Sequence, residues 1–429
     1  MTTAATVLAY GDARLRVDLG AGRYTTVVGT PPTALPDVPG VLRRALAAPI
    51  EAPPLAAQVR PGDRVTIVVS DGTRDTGVRA LLPTLLAELD RAGVPASRTR
   101  ALFALGIHRK QTAAEQAAIL GAEVALRLPH ADHDCDDDAR HAPLGGDGAA
   151  ASLRVNRQVL EGDLVVVTGA LGFHYLAAFG GGRKALVPGV AARDSVRAFH
   201  RHSLAADPAA GRHQGIAPGV RQGNPLDALA TAAAARVPRT FLVNTTMVPG
   251  GVGGLVAGDL RAAFARGCDD YRAAFAVPLG ERRPVVIVSA GGAPRDGDLV
   301  QTQKAIAAGA AALAPGGMML VLARCQDGAG QSDLWRWFDH PDRAAHLRAL
   351  HADFTVPGQT ALALREHAER AEIHLYSTLP PARVARAGMH PVARLEDFFA
   401  AVRRRHGADV AGYVLPEGAR YLPIVEASA

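Results

Sequence analysis

Arg64–Ser70 reads Arg-Val-Thr-Ile-Val-Val-Ser and runs straight into Asp71-Gly72-Thr73-Arg74. A β-branched run of this length is a strand, and the Asp-Gly pair ends it. The same punctuation recurs. Arg100–Leu105 leads into Gly106-Ile107-His108-Arg109, and Asp163–Thr168 into Gly169 and then His174. Arg239–Val243 precedes Asn244-Thr245-Thr246, and Pro284–Ser289 precedes Ala290-Gly291-Gly292. Helical patterns lie between them at Val78–Ala92, Ala113–Leu120, Leu226–Ala235 and Gln301–Ala312. Strands alternating with helices indicate an α/β fold with largely parallel sheets. Ligands of such sheets bind outside the carboxyl ends of the strands, where the polar punctuation falls here.

At 429 residues the chain exceeds one ordinary core, so two α/β domains are expected. A helical pattern at Leu260–Phe275 is followed by Val277-Pro278-Leu279-Gly280 and the charged Glu281-Arg282-Arg283, which read as a linker. The expected domains are therefore 1–276 and 277–429, the second ending in a helix over Leu395–Arg405. The net charge of +6 comes from scattered Lys and Arg that Asp and Glu nearly balance, which argues against a nucleic-acid binder. The short basic clusters Arg403-Arg404-Arg405 and Arg282-Arg283 read as solvated faces. Cys135, Cys268 and Cys325 are widely spaced and form neither a disulfide framework nor a CxxC pattern. No signal peptide opens the chain and no apolar run reaches membrane-spanning length, so a cytoplasmic protein is expected.

The chemistry concentrates in His174-Tyr175-Leu176-Ala177-Ala178-Phe179-Gly180-Gly181-Gly182-Arg183-Lys184. Successive glycines let backbone approach a ligand and offer amides to an anion. A lysine after them is a phosphate partner or a nucleophilic amine, or else the segment is a surface turn. It is no Walker loop, because Arg183 separates Gly182 from Lys184 and Ala185 follows. His108 and His174 both follow strands, and imidazole can give or take a proton near neutral pH. His200 ends the helical pattern Arg193–Phe199 and is either a nickel-type ligand or a helix-end residue. Arg74 has the planar fork to clamp a carboxylate, unless it simply pairs with Asp71 across a surface turn. Gln301 and Lys304 share a helix face and could hold a hydroxy acid's oxygens, the alternative being a solvated stripe. The run His130–Asp138 lacks metal-site spacing and reads as a solvated loop.

In order and spacing, DGTR at 71–74, GIHR at 106–109, the histidine-to-lysine segment 174–184 with GGGRK, PG at 188–189, His200 and GGAPRDGDLVQTQKA at 291–305 resemble the lactate racemase family of nickel-pincer nucleotide enzymes. The resemblance spans roughly residues 60–310 and implies two α/β domains with the active site in the cleft between them. It implies a nickel-pyridinium nucleotide tethered covalently to Lys184, with His200 completing the nickel coordination. It implies His108 and His174 as an acid/base pair, and Asp71, Gly72, Thr73 and Arg74 as a turn contacting cofactor and, through Arg74, substrate. Gln301 and Lys304 would orient the substrate. The implied reaction is racemisation or epimerisation of a small 2-hydroxy acid by reversible hydride transfer, with cofactor-synthesis and insertion proteins as partners. Asp75 follows Arg74 where family members often carry Pro, and extra arginines lie in Arg193–His202, so the pocket could suit a larger or more acidic acid than lactate. Two other readings stay open. A nicotinamide-type 2-hydroxyacid oxidoreductase would need a dinucleotide fingerprint, which the chain lacks. A non-catalytic anion- or sugar-acid-binding protein of the same fold should tolerate loss of His108 and His174, and both are present.

Overall fold

The computed structural model of the protein describes residues 5–331 and 333–425. The chain forms two compact units. One comprises Pro31–Leu204 and Arg212–Ala274. The other takes the segment up to Thr30, the short stretch Ala205–Gly211, and everything from Phe275 onward.

The first unit is built on a six-stranded sheet. Its order is Gly251–Gly258, Thr240–Val248, Leu164–Ala170, Val65–Ser70, Thr99–Ala104, His130–Asp132. All neighbours run parallel except the Gly251–Gly258 edge, which returns antiparallel along Thr240–Val248. Ile67, Val69, Phe103 and Val166 are completely buried, each contributing about 1.5–3 kcal/mol. Helix Val78–Arg91 packs on them through Leu81, Leu82, Leu85 and Leu89, which recur at helical spacing. From Val65–Ser70 the chain passes to Thr99–Ala104 on one side and later to Leu164–Ala170 on the other. Such a reversal opens a crevice at the carboxyl ends of these strands. Asp71, the His108 loop and the His174 segment follow those three ends.

The companion unit carries a wholly parallel sheet in the order His390–Pro391, Glu372–Tyr376, Leu313–Leu322, Arg283–Ser289, Ala411–Leu415, Arg23–Thr26. Its last strand comes from the start of the chain. Ala411 pairs with Arg23 and Val414 with Thr26, and Tyr24 is buried against the sheet. Strand Arg23–Thr26 thus covers an edge that strand Ala411–Leu415 would otherwise expose. The division is therefore not the contiguous one at 276/277. The stretch read as a linker also differs: Ala276–Leu279 is a strand, paired in parallel with Leu422–Val425. Leu279 of this strand is buried, and only Gly280, Glu281 and Arg282 separate it from Arg283–Ser289.

Candidate active site

Asp71 is 2% exposed and bonded throughout. Its Oδ2 lies 2.5 Å from His108 Nδ1, and its Oδ1 accepts from Thr73 Oγ1 at 2.6 Å and Arg74 Nη1 at 3.1 Å. Burial alone would raise its carboxyl, but the bond to His108 and the charge of Arg74 prevail and hold it at about 2. A carboxylate accepts only, so Nδ1 of His108 donates to it, and in the neutral ring Nε2 presents the lone pair. The loop is fixed as well, because the backbone amide of His108 donates to Leu105 O. The turn is steadied by Gln111, whose Oε1 accepts from Gly72 N while Asp132 accepts from its Nε2 and its amide. Arg74 does pair with Asp71, yet its side chain remains 54% exposed and its remaining donors have room for a ligand.

His174 lies in a two-residue strand, Phe173–His174, paired with Ala178–Phe179. Its Nδ1 accepts from the amides of Leu176 and Ala177 at 3.1 and 3.2 Å. The hairpin ends at Gly180, whose amide donates to Gly172 O, and the chain turns at Gly181 (φ +78°) and Gly182 (φ +53°). A Cβ on Gly182 would sit 2.4 Å from the Phe264 ring, so only glycine fits. Arg183 follows, 1% exposed, its guanidinium 4.1 Å above Phe264 and its Nη2 donating to Asp227 and to Ala177 O. Burial lowers this guanidinium to about 10, so it stays charged at neutral pH. The one-turn 3-10 helix Gly182–Ala185 places successive side chains about a third of a turn apart. With Arg183 locked into the core, Lys184 is directed elsewhere, half-buried.

Helix Arg193–Arg201 carries His200 in its last turn. Nδ1 of His200 donates to Val196 O at 2.9 Å, which leaves the Nε2 lone pair for a ligand. Desolvation, aided by the charge of Lys184, holds the imidazole neutral, at about 4. The segment after Lys184 also meets the His108 loop. Gly189 N donates to Lys184 O, and Gly106 N donates to Gly189 O at 2.8 Å. Backbone bonds thus tie the His108 loop to the Lys184 turn, and the His174 hairpin runs directly into it. This constellation offers one carboxylate-backed base, a second oriented imidazole, an amine and a metal-competent imidazole.

Gln301 and Lys304 lie in the companion unit, on helix Leu299–Ala312 capped by Asp298. Lys304 Nζ donates to Gln301 Oε1 at 2.7 Å, so the two form one polar pair on a shared face. The acidic run departs from the solvated loop expected. His130–Asp132 is an edge strand, His133 and Cys135 are buried, and Asp136 pairs with Arg193 at the start of the His200 helix. No cluster of potential metal ligands occurs among the described residues. Sequence reading missed the Asp71–His108 bond, although adjacent parallel strands imply adjacent strand ends. It also missed Arg183–Asp227, which links residues 44 apart and leaves no local signal. It missed Asn224 too, although Asn before Pro225 is a helix-start signal; its Nδ2 also donates to Leu176 O in the His174 hairpin.

The comparisons with known proteins agree with one another. Residues 10–212 match the lactate racemase N-terminal domain and residues 281–422 the lactate racemase C-terminal domain. The chain is 29% identical over 324 residues to a lactate racemase of Thermoanaerobacterium thermosaccharolyticum, covering 74% of each chain. It is 28% identical over 296 residues to a lactate racemase of Lactiplantibacillus plantarum, covering 67% of this chain and 66% of that one. In fold it resembles the solved lactate racemase apoprotein of T. thermosaccharolyticum, with a TM-score of 0.88 at 24% identity over 99% of this chain and 100% of the other. A Thermotoga maritima protein solved by structural genomics shares the fold less closely, at a TM-score of 0.67, 17% identity and 93% and 100% coverage.

Proposed function

The chain belongs to the lactate racemase family, and from that premise we propose that it is an isomerase that inverts the hydroxyl-bearing carbon of a small 2-hydroxy acid. The Asp71–His108 pair, joined through Gly106 and Gly189 to the Lys184 turn, is the observation that carries the reading. Nε2 of His108 takes the proton of the substrate hydroxyl, and the Asp71 carboxylate balances the positive ring that results. Removing hydride rather than a proton from Cα avoids a dianionic enolate next to the carboxylate and leaves a planar keto acid open on both faces. His174 acts on the same oxygen. Arg74 binds the substrate carboxylate, and Asp71 to Arg74 line the cofactor.

The residues present fit a nickel-pincer nucleotide. Lys184 would hold it covalently through its amine, and His200, with Nδ1 committed to Val196 O, would meet the metal with Nε2. When bound, that group supplies a reversible acceptor for the Cα hydride, so no net oxidation occurs. Half-buried, neutral His200 costs no proton release on ligation, and the Arg183 anchor fixes the backbone that carries the amine. No described helix is long and apolar enough to cross a membrane.

The test is production of the protein together with cofactor-synthesis proteins, followed by intact mass, nickel content and the optical purity of a panel of 2-hydroxy acids. The expected result is an adduct and nickel in the wild type, neither in Lys184→Ala, and loss of optical purity for at least one acid. An unmodified Lys184 with no change in optical purity overturns the reading.

A further inference from the structure

Asn244 interrupts the apolar run of strand Thr240–Val248 and is wholly buried. Its neighbours Phe241 and Val243 point into the core shared with helix Val78–Arg91, so Asn244 faces the other side of the sheet. There it meets the turn that leads to Lys184. Asn244 Oδ1 accepts from Gly182 N at 3.4 Å. A Cβ on Gly169 would stand 3.2 Å from that oxygen, and one on Gly181 would stand 2.7 Å from Nδ2. Glycine at these places lets the turn lie directly on the carboxamide.

That one bond is all the carboxamide makes. Among the described residues Nδ2 meets no acceptor, although it is sealed from water. A buried donor left unpaired opposes folding, and leucine, with the same branching, would avoid the penalty. The adjacent Thr245, by contrast, spends its hydroxyl on Thr76 O at 2.8 Å. Stability therefore gives no reason for an asparagine here.

What the bond controls is a single peptide. The N–H of Gly182 and the C=O of Gly181 belong to one planar unit and point in opposite directions. The N–H is held by Asn244, and the C=O accepts from Lys184 N at 3.3 Å. Both flanking residues are glycines with positive φ, +78° and +53°, so no side chain restrains this peptide from turning over. Turning it over would break both bonds at once. Resting on the function proposed above, we propose that Asn244 is a positioning residue for Lys184. Its oxygen fixes the Gly181–Gly182 peptide, which in turn fixes the backbone of Lys184 and the direction in which the amine leaves the turn.

The test uses the full-length protein and has two arms. In the first, amide exchange is read residue by residue without cofactor in wild type, Asn244→Leu and Asn244→Asp. Asn244→Leu should leave thermal unfolding and the protection of Val65–Ser70 as they are. It should nevertheless speed exchange at Lys184 N, which Asn244 does not touch, about 3- to 10-fold, the equivalent of one hydrogen bond. Asn244→Asp still offers Gly182 N an acceptor and should keep Lys184 N protected relative to Val65–Ser70. Unchanged exchange at Lys184 N in Asn244→Leu overturns the proposal, as does equal exchange there in the two variants. Protection lost evenly at Lys184 and Val65–Ser70 also overturns it, since Asn244 would then serve the fold at large. In the second arm each protein is produced with cofactor-synthesis proteins and weighed intact. The chain has only three lysines, Lys110, Lys184 and Lys304, so peptide masses locate an adduct directly. Asn244→Leu should carry several-fold less adduct on Lys184 than wild type, and equal occupancy overturns the proposal. A wild type with no adduct would sink the role assigned to Lys184 instead, and the exchange data would still decide whether Asn244 holds its backbone.

Discussion

Asp71→Asn removes one negative charge from a site that is almost sealed from water. In the folded protein that carboxyl lies at about 2 instead of its ordinary 3.8, with His108, Arg74 and Thr73 outweighing the burial that would raise it. A depression of this size corresponds to roughly 2 to 3 kcal/mol of folding stability. Because the folded value is the lower one, this stability is fully present above the unfolded value near 4. It is lost as the pH falls toward 2. The amide variant lacks the contribution at every pH. Wild type and variant should therefore differ by about 2 kcal/mol at about pH 6; the gap should shrink to roughly half by about pH 3 and close near pH 2 and below. Both tryptophans, Trp335 and Trp337, belong to the companion unit, so their fluorescence would not follow the event. Hydrogen exchange of peptides covering Val65–Ser70 and Thr99–Ala104, measured through urea titrations at a series of pH values, reads the right unit. A stability difference that stays constant from about pH 6 to about pH 3 would refute the reasoning, since it would mean that the lost contacts were not electrostatic.

Gly182→Ala forces a Cβ to within 2.4 Å of the Phe264 ring at φ +53°; a fall in stability of about 2 kcal/mol or more is expected by thermal unfolding, with loss of the lysine adduct. Arg183→Met strands the buried Asp227 carboxylate and should cost about 3 kcal/mol, eased by Arg221, which also reaches Asp227. Arg183→Met combined with Asp227→Leu should recover most of that loss in chemical denaturation, and failure to recover would show that the pair is not the source. Burial pushes the imidazole of His133 down to about 4, so the folded ring is neutral while the unfolded ring takes up a proton below its ordinary 6.5. Stability of that unit should accordingly decline as the pH falls from about 6.5 toward 4 and be flat above it. His133→Asn should flatten the decline, as hydrogen exchange around Val190 to Ala192 would report.

The sequence by itself determined where the strands end and what chemistry sits there. Val65–Ser70 and Leu164–Ala170 are legible as apolar β-branched runs, and Thr99–Ala104 as a short apolar run ended by Gly106. The polar residues after each run had to gather at one edge once the strands lie parallel. The helices at Val78–Arg91, Ala113–Leu120 and Leu299–Ala312 were equally plain, because apolar spacing and caps are local properties. Partner choice was not local. The Asp71 carboxylate that sets the tautomer of His108 lies 37 residues away, and Asp227 lies 44 from Arg183. Neither pairing is encoded in the residues adjacent to it. The strand Arg23–Thr26 is too short to announce itself, and only the open edge of Ala411–Leu415, nearly four hundred residues on, explains where it goes. Most consequential is the difference between the two imidazoles. Both are the same residue type after a strand, and only the tertiary structure decides that one faces a carboxylate and the other two amide donors.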